Sequence, residues 1–170
     1  VKLGIDLPSE RDGLIPTREW KQAAIGSSWQ LGETLLVGIG QGYVLSTPLQ
    51  LAVMTARLVN GGVAVEPYVT RNLVDGELAL QRPEPVFPSL GISPASLAII
   101  KKGTDAVTNT PLGTAFRARI KEKGKEMGGK TGTSQVRHIS KEERESGVIE
   151  DKDLPFEERD HALFVGYAPY

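Results

Sequence analysis

A short run of glycines, threonines and a lysine carries the residue types that could bind an anionic ligand. Residues 127–136 have no helical period, and their glycines and threonines predict a β-strand. On a strand, the side chains of Thr131 and Thr133 share one face and lie about 7 Å apart. Gly132 lets a ligand approach the backbone closely, and Lys130 adds a positive charge. The spacing predicts a site for an extended, carboxylate-bearing ligand, and the simpler alternative is an edge strand with a solvated lysine.

The same residues also fit the spacing of a phosphate-binding P-loop, Gly-x-x-x-x-Gly-Lys-Thr, from Gly124 to Thr131. A P-loop needs an apolar strand before its first glycine and a helix that starts at its lysine. Here a charged helical pattern at 116–121 comes first, and the strand-like residues 132–136 follow. This context favours the strand and leaves nucleotide binding as the weaker alternative.

The helices that must position this strand begin with clear capping signals. Thr47, Pro48 and Gln50 form a start signal, and Gly61 and Gly62 form a stop. Apolar residues between them lie on nearly all sides of the predicted helix, which indicates that it is buried.

Other segments are predicted from similar local signals. A second helix begins at Ser93 and Pro94, and a third spans residues 114 to about 123. The opening thirty residues are rich in turn formers and predict a loop-dominated connection without a packed helix pair. Residues 63–74 suggest a short strand or hairpin, and the prolines of 81–94 predict irregular structure.

Two segments follow the motif strand. Residues 137–160 form a charged excursion with five basic and nine acidic side chains, helical around 140–145. Its simplest interpretation is a solvated flap, with a partner-docking surface as the alternative. Residues 161–167 are mostly apolar and predict a buried strand.

Composition limits the classes of protein that the chain can represent. Its 170 residues, 39% hydrophobic and 24% charged, are typical of one globular domain. A net charge of −1 argues against a general binder of nucleic acid or of anionic membranes. The absence of cysteine excludes disulfides, thiolate metal sites and cysteine nucleophiles. Two histidines are too few for a histidine-built metal site without a carboxylate partner. We therefore expect no metal and no cofactor.

The chain resembles the transpeptidase domain of class B penicillin-binding proteins in several spaced blocks. In chain order these blocks are residues 4–8, 40–43, 47–52, 113–115, 130–133, 159–164 and 168–170. The last two are similar to the penicillin-binding protein 2 branch, the elongation-specific transpeptidases. Lys-Thr-Gly, here Lys130-Thr131-Gly132, is a known signature of penicillin-binding proteins.

The resemblance implies a fold and an activity. The fold would be of the α/β (α+β) type, an antiparallel sheet flanked by helices, with the motif strand lining the cleft. The activity would be that of a serine D,D-transpeptidase, which cross-links peptidoglycan stem peptides through an acyl-enzyme during cell-wall elongation and is inhibited by β-lactams.

The resemblance also implies roles for the motif residues. Lys130 would support the proton network around the active serine. Thr131 and Thr133 would hold the carboxylate of the substrate or the β-lactam, with Gly132 between them. The backbone N–H of Thr133 would help to form the oxyanion hole.

The implied partners are stem peptides, β-lactams and the glycosyltransferase of the elongation machinery, without nucleic acid. The implied location is the periplasmic face of the bacterial inner membrane, with membrane contact only through a segment outside this chain.

The chain departs from the family pattern in one respect. A family enzyme needs a Ser-x-x-Lys nucleophile motif and a Ser-x-Asn motif, and none of the chain's serines starts either one. We therefore expect residues 1–170 to be a partial transpeptidase domain, truncated at both ends and inactive alone. The alternative from another class is a catalytically silent module that binds peptides, β-lactams or a partner protein.

Overall fold

Five α-helices and four β-strands are present in the computed structural model, which describes residues 2–69, 72–74, 77–79, 89–137 and 139–170. The helices are α1 (Arg18–Ile25), α2 (Leu31–Gly38), α3 (Pro48–Val59), α4 (Pro94–Asn109) and α5 (Lys141–Ser146). The strands are β1 (Asn72–Val74), β2 (Glu77–Ala79), β3 (Gly128–Ser134) and β4 (His161–Tyr167). Short 3₁₀ turns lie at Phe116–Ala118, Asp151–Asp153 and Phe156–Glu158.

The motif strand β3 pairs with β4 in an antiparallel sheet. The register runs from Gly128 opposite Tyr167 to Ser134 opposite His161. The predicted motif strand is confirmed, although it ends at Ser134, slightly short of the predicted boundary. Because Lys130 lies within a strand and does not start a helix, the P-loop alternative is wrong.

Two glycines allow the ring of Phe164 to lie close against the backbone of this sheet. A Cβ atom at Gly129 would lie 2.5 Å from Cζ of Phe164 and 2.7 Å from the carbonyl oxygen of Val165. A Cβ atom at Gly166 would lie 2.8 Å from the same ring. The ring of Phe164 therefore occupies the space that side chains at both glycines would take.

Helix α3 forms as its capping signals predict, but it is not buried all round. The Thr47 hydroxyl accepts from the N–H of Gln50 at 3.1 Å, and the Gln50 side chain accepts from the N–H of Thr47 at 2.9 Å. Only Val53 is buried within α3, and Met54 is 48% exposed. The prediction of an all-round buried helix is wrong, because among the described elements α3 packs only against β4 and α4, and most of its side chains are half-buried or exposed.

Helix α4 also begins as predicted, at a Ser93 cap, and it packs along β3. Thr108 is fully buried, and its hydroxyl donates to the carbonyl oxygen of Met127, directly before β3. One turn earlier, the hydroxyls of Thr104 and Tyr167 lie 2.8 Å apart. These bonds fix the motif strand against the helix.

The opening thirty residues are mostly loop, as predicted, but they also contain the helix α1, which was not predicted. Thr17 caps α1 by accepting from the N–H of Trp20 at 3.1 Å. Lys21 of α1 is only 4% exposed, and its ammonium contacts Glu33 of α2 at 2.6 Å and the carbonyl oxygen of Ser28 at 2.8 Å. The glycines and prolines of this segment thus gave no sign of α1 or of the ion pair that joins it to α2, between two residues twelve positions apart.

The predicted third helix is also wrong, since residues 114–123 contain a single 3₁₀ turn, Phe116–Ala118. The Arg119 side chain donates to the carbonyl oxygen of Phe116 at 2.8 Å, and its guanidinium lies 3.7 Å from the centre of the Phe116 ring. The carbonyl oxygen of Phe116, which would accept a backbone hydrogen bond in a longer helix, is thus bonded to a side chain. The backbone becomes extended at Arg119.

Three further segments complete the comparison with the sequence predictions. Residues 63–69 are not a strand, whereas β1 pairs antiparallel with β2. The predicted irregular segment 81–94 lies mostly outside the described residues, as do residues 70, 71, 75 and 76. The strand β4 forms as predicted but is not buried, with exposed and half-buried side chains along its length.

Much apolar surface is exposed on the described part of the chain. Its buried apolar side chains are Val53, Ala64 and Leu97. By contrast, Leu31, Leu35 and Ile39 are exposed along α2 and its C-terminal cap. Among the described strands, β3 and β4 pair only with each other.

Candidate functional site

A groove of about 310 Å³ runs along the motif strand. Lys130, Thr131, Gly132 and Thr133 all line it, so the four predicted site residues share one cavity. The opposite wall and the floor come from residues around 39–46, from α3 and from β4. These residues are Ile39, Gly40, Gln41, Val44, Ser46, Leu51, Met54, Leu163 and Val165.

The edge of β3 that faces away from β4 carries a row of backbone polar groups. The carbonyl oxygen of Thr131 accepts from Nζ of Lys130 at 2.7 Å, and that of Thr133 accepts from Nε2 of Gln41 at 3.1 Å. The N–H and C=O of one strand residue point to the same edge. The N–H of Thr133 therefore points to the free edge as well, where an extended ligand could accept from it.

Thr114 supports the first threonine of the motif. The hydroxyls of Thr114 and Thr131 lie 3.0 Å apart, and either one can be the donor. Because Thr131 is half-buried, this contact restricts its hydroxyl to a few directions. Sequence reasoning gave Thr114 no role beyond starting a helix, and only its place in the 113–115 block marked it.

Lys130 supplies the positive charge of the groove. Its side chain is exposed and donates to the carbonyl oxygen of Thr131 along the strand edge. Within the part of the chain that the structure describes, Lys130 forms no ion pair with a carboxylate. Its charge is therefore available to an anionic ligand beside the two threonine hydroxyls.

Two serines line the same groove, Ser46 and Ser134. The Ser46 hydroxyl lies 3.4 Å from the carbonyl oxygen of Thr47 and 3.5 Å from the side-chain oxygen of Gln50. Over the described ranges, neither serine has a hydrogen bond with a lysine or histidine nitrogen that could activate it. Among the described residues, the groove thus combines a lysine, threonine hydroxyls and backbone groups with two serines that have no hydrogen-bonded base.

The charged excursion between β3 and β4 is mostly exposed, as a solvated flap would be, and several hydrogen bonds hold it together. We call residues 139–160, together with Arg137, the acidic lobe. The Arg137 guanidinium donates two hydrogen bonds to Glu143, at 2.7 and 2.5 Å, and both side chains are mostly buried. Glu143 also accepts from the N–H of Ile149 at 3.2 Å, and Asp160 accepts from the N–H of Val136 at 3.2 Å. The helix predicted around 140–145 is confirmed as α5.

The acidic lobe should loosen at low pH. The hydrogen bonds from Arg137, together with that from Ile149, lower the pKa of Glu143 from its ordinary 4.5 to about 2. A lowered folded-state pKa adds stability that is present above pH 4.5 and is lost as the pH falls towards 2. We expect Glu143→Gln to mimic the acid form at pH 7 and to speed hydrogen exchange of the Ile149 amide.

The matched control is Glu145→Gln, which removes an exposed pair with Lys141 at 3.9 Å. Exposed pairs of this kind contribute little to stability, so lobe exchange should not change. Equal exchange in wild type and Glu143→Gln would show that the Arg137–Glu143 pair does not hold the lobe.

The described residues show neither a cluster of metal ligands nor a membrane-spanning helix. No group of three or more histidine, cysteine, aspartate or glutamate side chains there is arranged to hold a metal ion. None of the described helices is long and apolar enough to cross a membrane.

Known protein families and curated proteins resemble this chain over nearly its whole length. The family model for the penicillin binding protein transpeptidase domain matches residues 1–170. The chain is 36% identical over 180 residues to the peptidoglycan D,D-transpeptidase MrdA of Acinetobacter baumannii, covering 99% of this chain and 24% of that protein. It is 34% identical to MrdA of Escherichia coli K12, covering 98% of this chain and 26% of that protein. The chain thus spans about a quarter of the length of these curated relatives.

Solved structures show the same fold. Pseudomonas aeruginosa PBP2, in complex with WCK 5153, aligns with a TM-score of 0.72 and 37% identity, over 96% of this chain and 32% of that chain. Helicobacter pylori PBP2, in complex with MreC, aligns with a TM-score of 0.70 and 28% identity, over 98% of this chain and 26% of that chain. These likenesses confirm the predicted mixed α/β fold with an antiparallel sheet and the resemblance to the PBP2 branch. The chain belongs to the penicillin binding protein transpeptidase domain family.

Proposed function

We propose that residues 1–170 are part of a peptidoglycan D,D-transpeptidase domain that cross-links stem peptides through a serine acyl-enzyme and binds β-lactams. The observation that carries the proposal is the groove beside β3. There one lysine, two threonine hydroxyls and an outward-facing N–H line a single cavity, in a chain of this family. In the proposed enzyme, the active serine comes from a segment outside these 170 residues.

Each group in the groove has a distinct part in this chemistry. The Thr131 and Thr133 hydroxyls and the positive charge of Lys130 would hold the carboxylate of an extended peptide along the strand edge. Lys130 would also support the proton transfers to and from the serine hydroxyl. As the serine attacks the peptide carbonyl, the developing oxyanion would accept from the N–H of Thr133. Removing one such donor typically lowers the rate by about 10²–10³-fold.

The location and partners of the protein follow from the same reaction. Stem peptides lie outside the cytoplasmic membrane, so the domain would work at the periplasmic face of the bacterial inner membrane. The MreC complex of the Helicobacter pylori relative supports a partner protein from the cell-wall machinery. We extend this proposal to the glycosyltransferase of the elongation machinery.

A penicillin adduct tests the proposed function. We expect the full-length protein, incubated with excess benzylpenicillin, to gain the mass of one drug molecule on a serine outside residues 1–170. Intact-mass spectrometry followed by peptide mapping measures both points. Benzylpenicillin hydrolysed beforehand is the control, because it lacks the strained amide and should add nothing.

Other outcomes have definite meanings. No adduct on the folded full-length protein would support the alternative of a catalytically silent binding module. An adduct mapped to any serine between Val1 and Tyr170 would overturn the assignment of the groove residues.

A further inference from the structure

Gln41 bonds the motif strand from a position 92 residues away in the sequence. Its side-chain amide donates to the carbonyl oxygen of Thr133 at 3.1 Å. The residue is half-buried and lines the groove opposite Lys130 and Thr131. Sequence reasoning placed Gln41 in a family block but gave it no role.

The backbone at Gln41 is fixed two residues beyond Ile39, the C-terminal cap of α2. Gly40 and Gly42 both have positive φ, 73° and 71°, so the chain turns sharply on either side of Gln41. The Gln41 N–H donates to the carbonyl oxygen of Leu36 at 2.9 Å, and that of Gly40 donates to Val37 at 3.0 Å. The side chain therefore starts from a defined point.

Helix α2 is itself anchored to α1. Lys21 and Glu33 form a nearly buried ion pair between the two helices. The rings of Trp20 and Tyr43 lie 5.3 Å apart, joining α1 to the loop that follows Gln41. The chain on both sides of Gln41 is thus tied to α1, by the ion pair to Glu33 before it and by the ring contact with Tyr43 after it.

Thr133 lies where β3 needs such support. It is the last residue but one of the strand, and the chain beyond it leaves the sheet for the acidic lobe. The side chain of Thr133 is exposed, and its carbonyl faces the edge of β3 away from β4, where no other described strand pairs. The bond from Gln41 takes the place of a ladder hydrogen bond at this position.

We propose that Gln41 is a positioning residue for the oxyanion donor. By holding the Thr133 carbonyl on the free edge, its amide keeps Thr133 extended, and this conformation directs the Thr133 N–H into the groove. The inference rests on the proposed function, because it assigns that N–H to the oxyanion. Gln41 does not touch the reacting atoms and acts only through Thr133.

The test uses Gln41→Met in the full-length protein. Methionine has a similar length and volume but cannot donate a hydrogen bond. We expect the rate constant for acylation by a fluorescent penicillin to fall about tenfold. The dissociation constant of the non-covalent complex should stay within about twofold, because Lys130 and Thr131 still hold the carboxylate. Stopped-flow fluorescence separates the two constants.

The matched control is Gln135→Met, which changes an exposed glutamine just beyond β3. It should leave both constants and the thermal midpoint unchanged. An unchanged or faster acylation step in Gln41→Met would overturn the proposal. So would a matching loss in binding and in thermal midpoint, since that result indicates a general structural role.

A second measurement does not depend on catalysis. Hydrogen exchange at the Gly132 and Ser134 amides should become about tenfold faster in Gln41→Met, because the end of β3 frays. Unchanged exchange would show that Gln41 does not hold the strand. If the wild-type protein forms no penicillin adduct, the proposed function fails, whereas this exchange measurement still decides whether the contact operates.

Discussion

Replacing Lys130 by methionine should reduce acylation of the full-length protein by penicillin about 10²–10⁴-fold, the range typical of a group that assists proton transfer. Lys130 lines the groove, is exposed and donates to the Thr131 carbonyl at 2.7 Å. Methionine keeps much of the aliphatic stem but removes both the charge and the donors. The second-order rate constant, measured with a fluorescent penicillin, gives the size of the loss.

A lysine away from the groove provides the control. Lys125 is highly exposed and forms an ion pair at 2.8 Å with Glu122, three residues earlier in the chain. Lys125→Met removes the same charge, and we expect no change in acylation. A Lys130→Met protein that reacts within about threefold of wild type would remove Lys130 from the proposed proton network.

Replacing Gly113 by alanine should lower stability by about 1–3 kcal/mol, the range for inserting atoms into a well-packed site. A Cβ atom at Gly113 would collide with the backbone carbonyl oxygens of Ala106 and Val107. Backbone atoms cannot move aside as a flexible side chain can, so the end of α4 must shift. The N–H of Ala115 donates to the same Val107 oxygen at 3.0 Å, and that bond should be lost.

For Gly103, within α4, we expect the opposite effect of an alanine substitution on stability. A Cβ atom at Gly103 would meet nothing within 4 Å outside its own helix turn. Gly103→Ala should therefore raise stability by about 1 kcal/mol, because alanine is the better helix former. Thermal midpoints of the two full-length variants against wild type measure both effects. Equal midpoints for Gly113→Ala and wild type would mean that the loop at 113–115 adapts without cost.

The Gly113 substitution should also affect the groove. Gly113 precedes Thr114, whose hydroxyl lies 3.0 Å from that of Thr131. Any shift of this loop moves the hydroxyl partner of a residue that we expect to hold the carboxylate.

Local signals in the sequence predicted several elements correctly. The starts of α3 and α4 were predicted from a hydroxyl cap followed by proline, at Thr47 and Ser93. The extended motif strand was predicted from glycines and threonines without helical period. Such signals work because a cap and its partner N–H lie within four residues, so the sequence contains the whole interaction.

The four residues of the groove wall were also predictable, since neighbours on one strand have a fixed relation to each other. What each of them contacts was not predictable. Thr114 reaches Thr131 over 17 residues, and Gln41 reaches Thr133 over 92. These pairs depend on where the loops after α2 and α4 lie relative to the sheet, and local spacing in the sequence does not determine that position.

Burial and the shape of the first helix pair were decided by tertiary structure alone. Apolar residues around α3 predicted a buried helix, but burial requires a neighbour on every side, and α3 contacts only α4 and β4 among the described elements. The glycines and prolines around α1 masked its helical pattern. An ion pair between Lys21 of α1 and Glu33 of α2 joins the two helices. The sequence by itself determined where chemistry could occur and which local elements form, because those depend on near neighbours. The tertiary structure decided which side chains meet across the groove, because that depends on long-range packing.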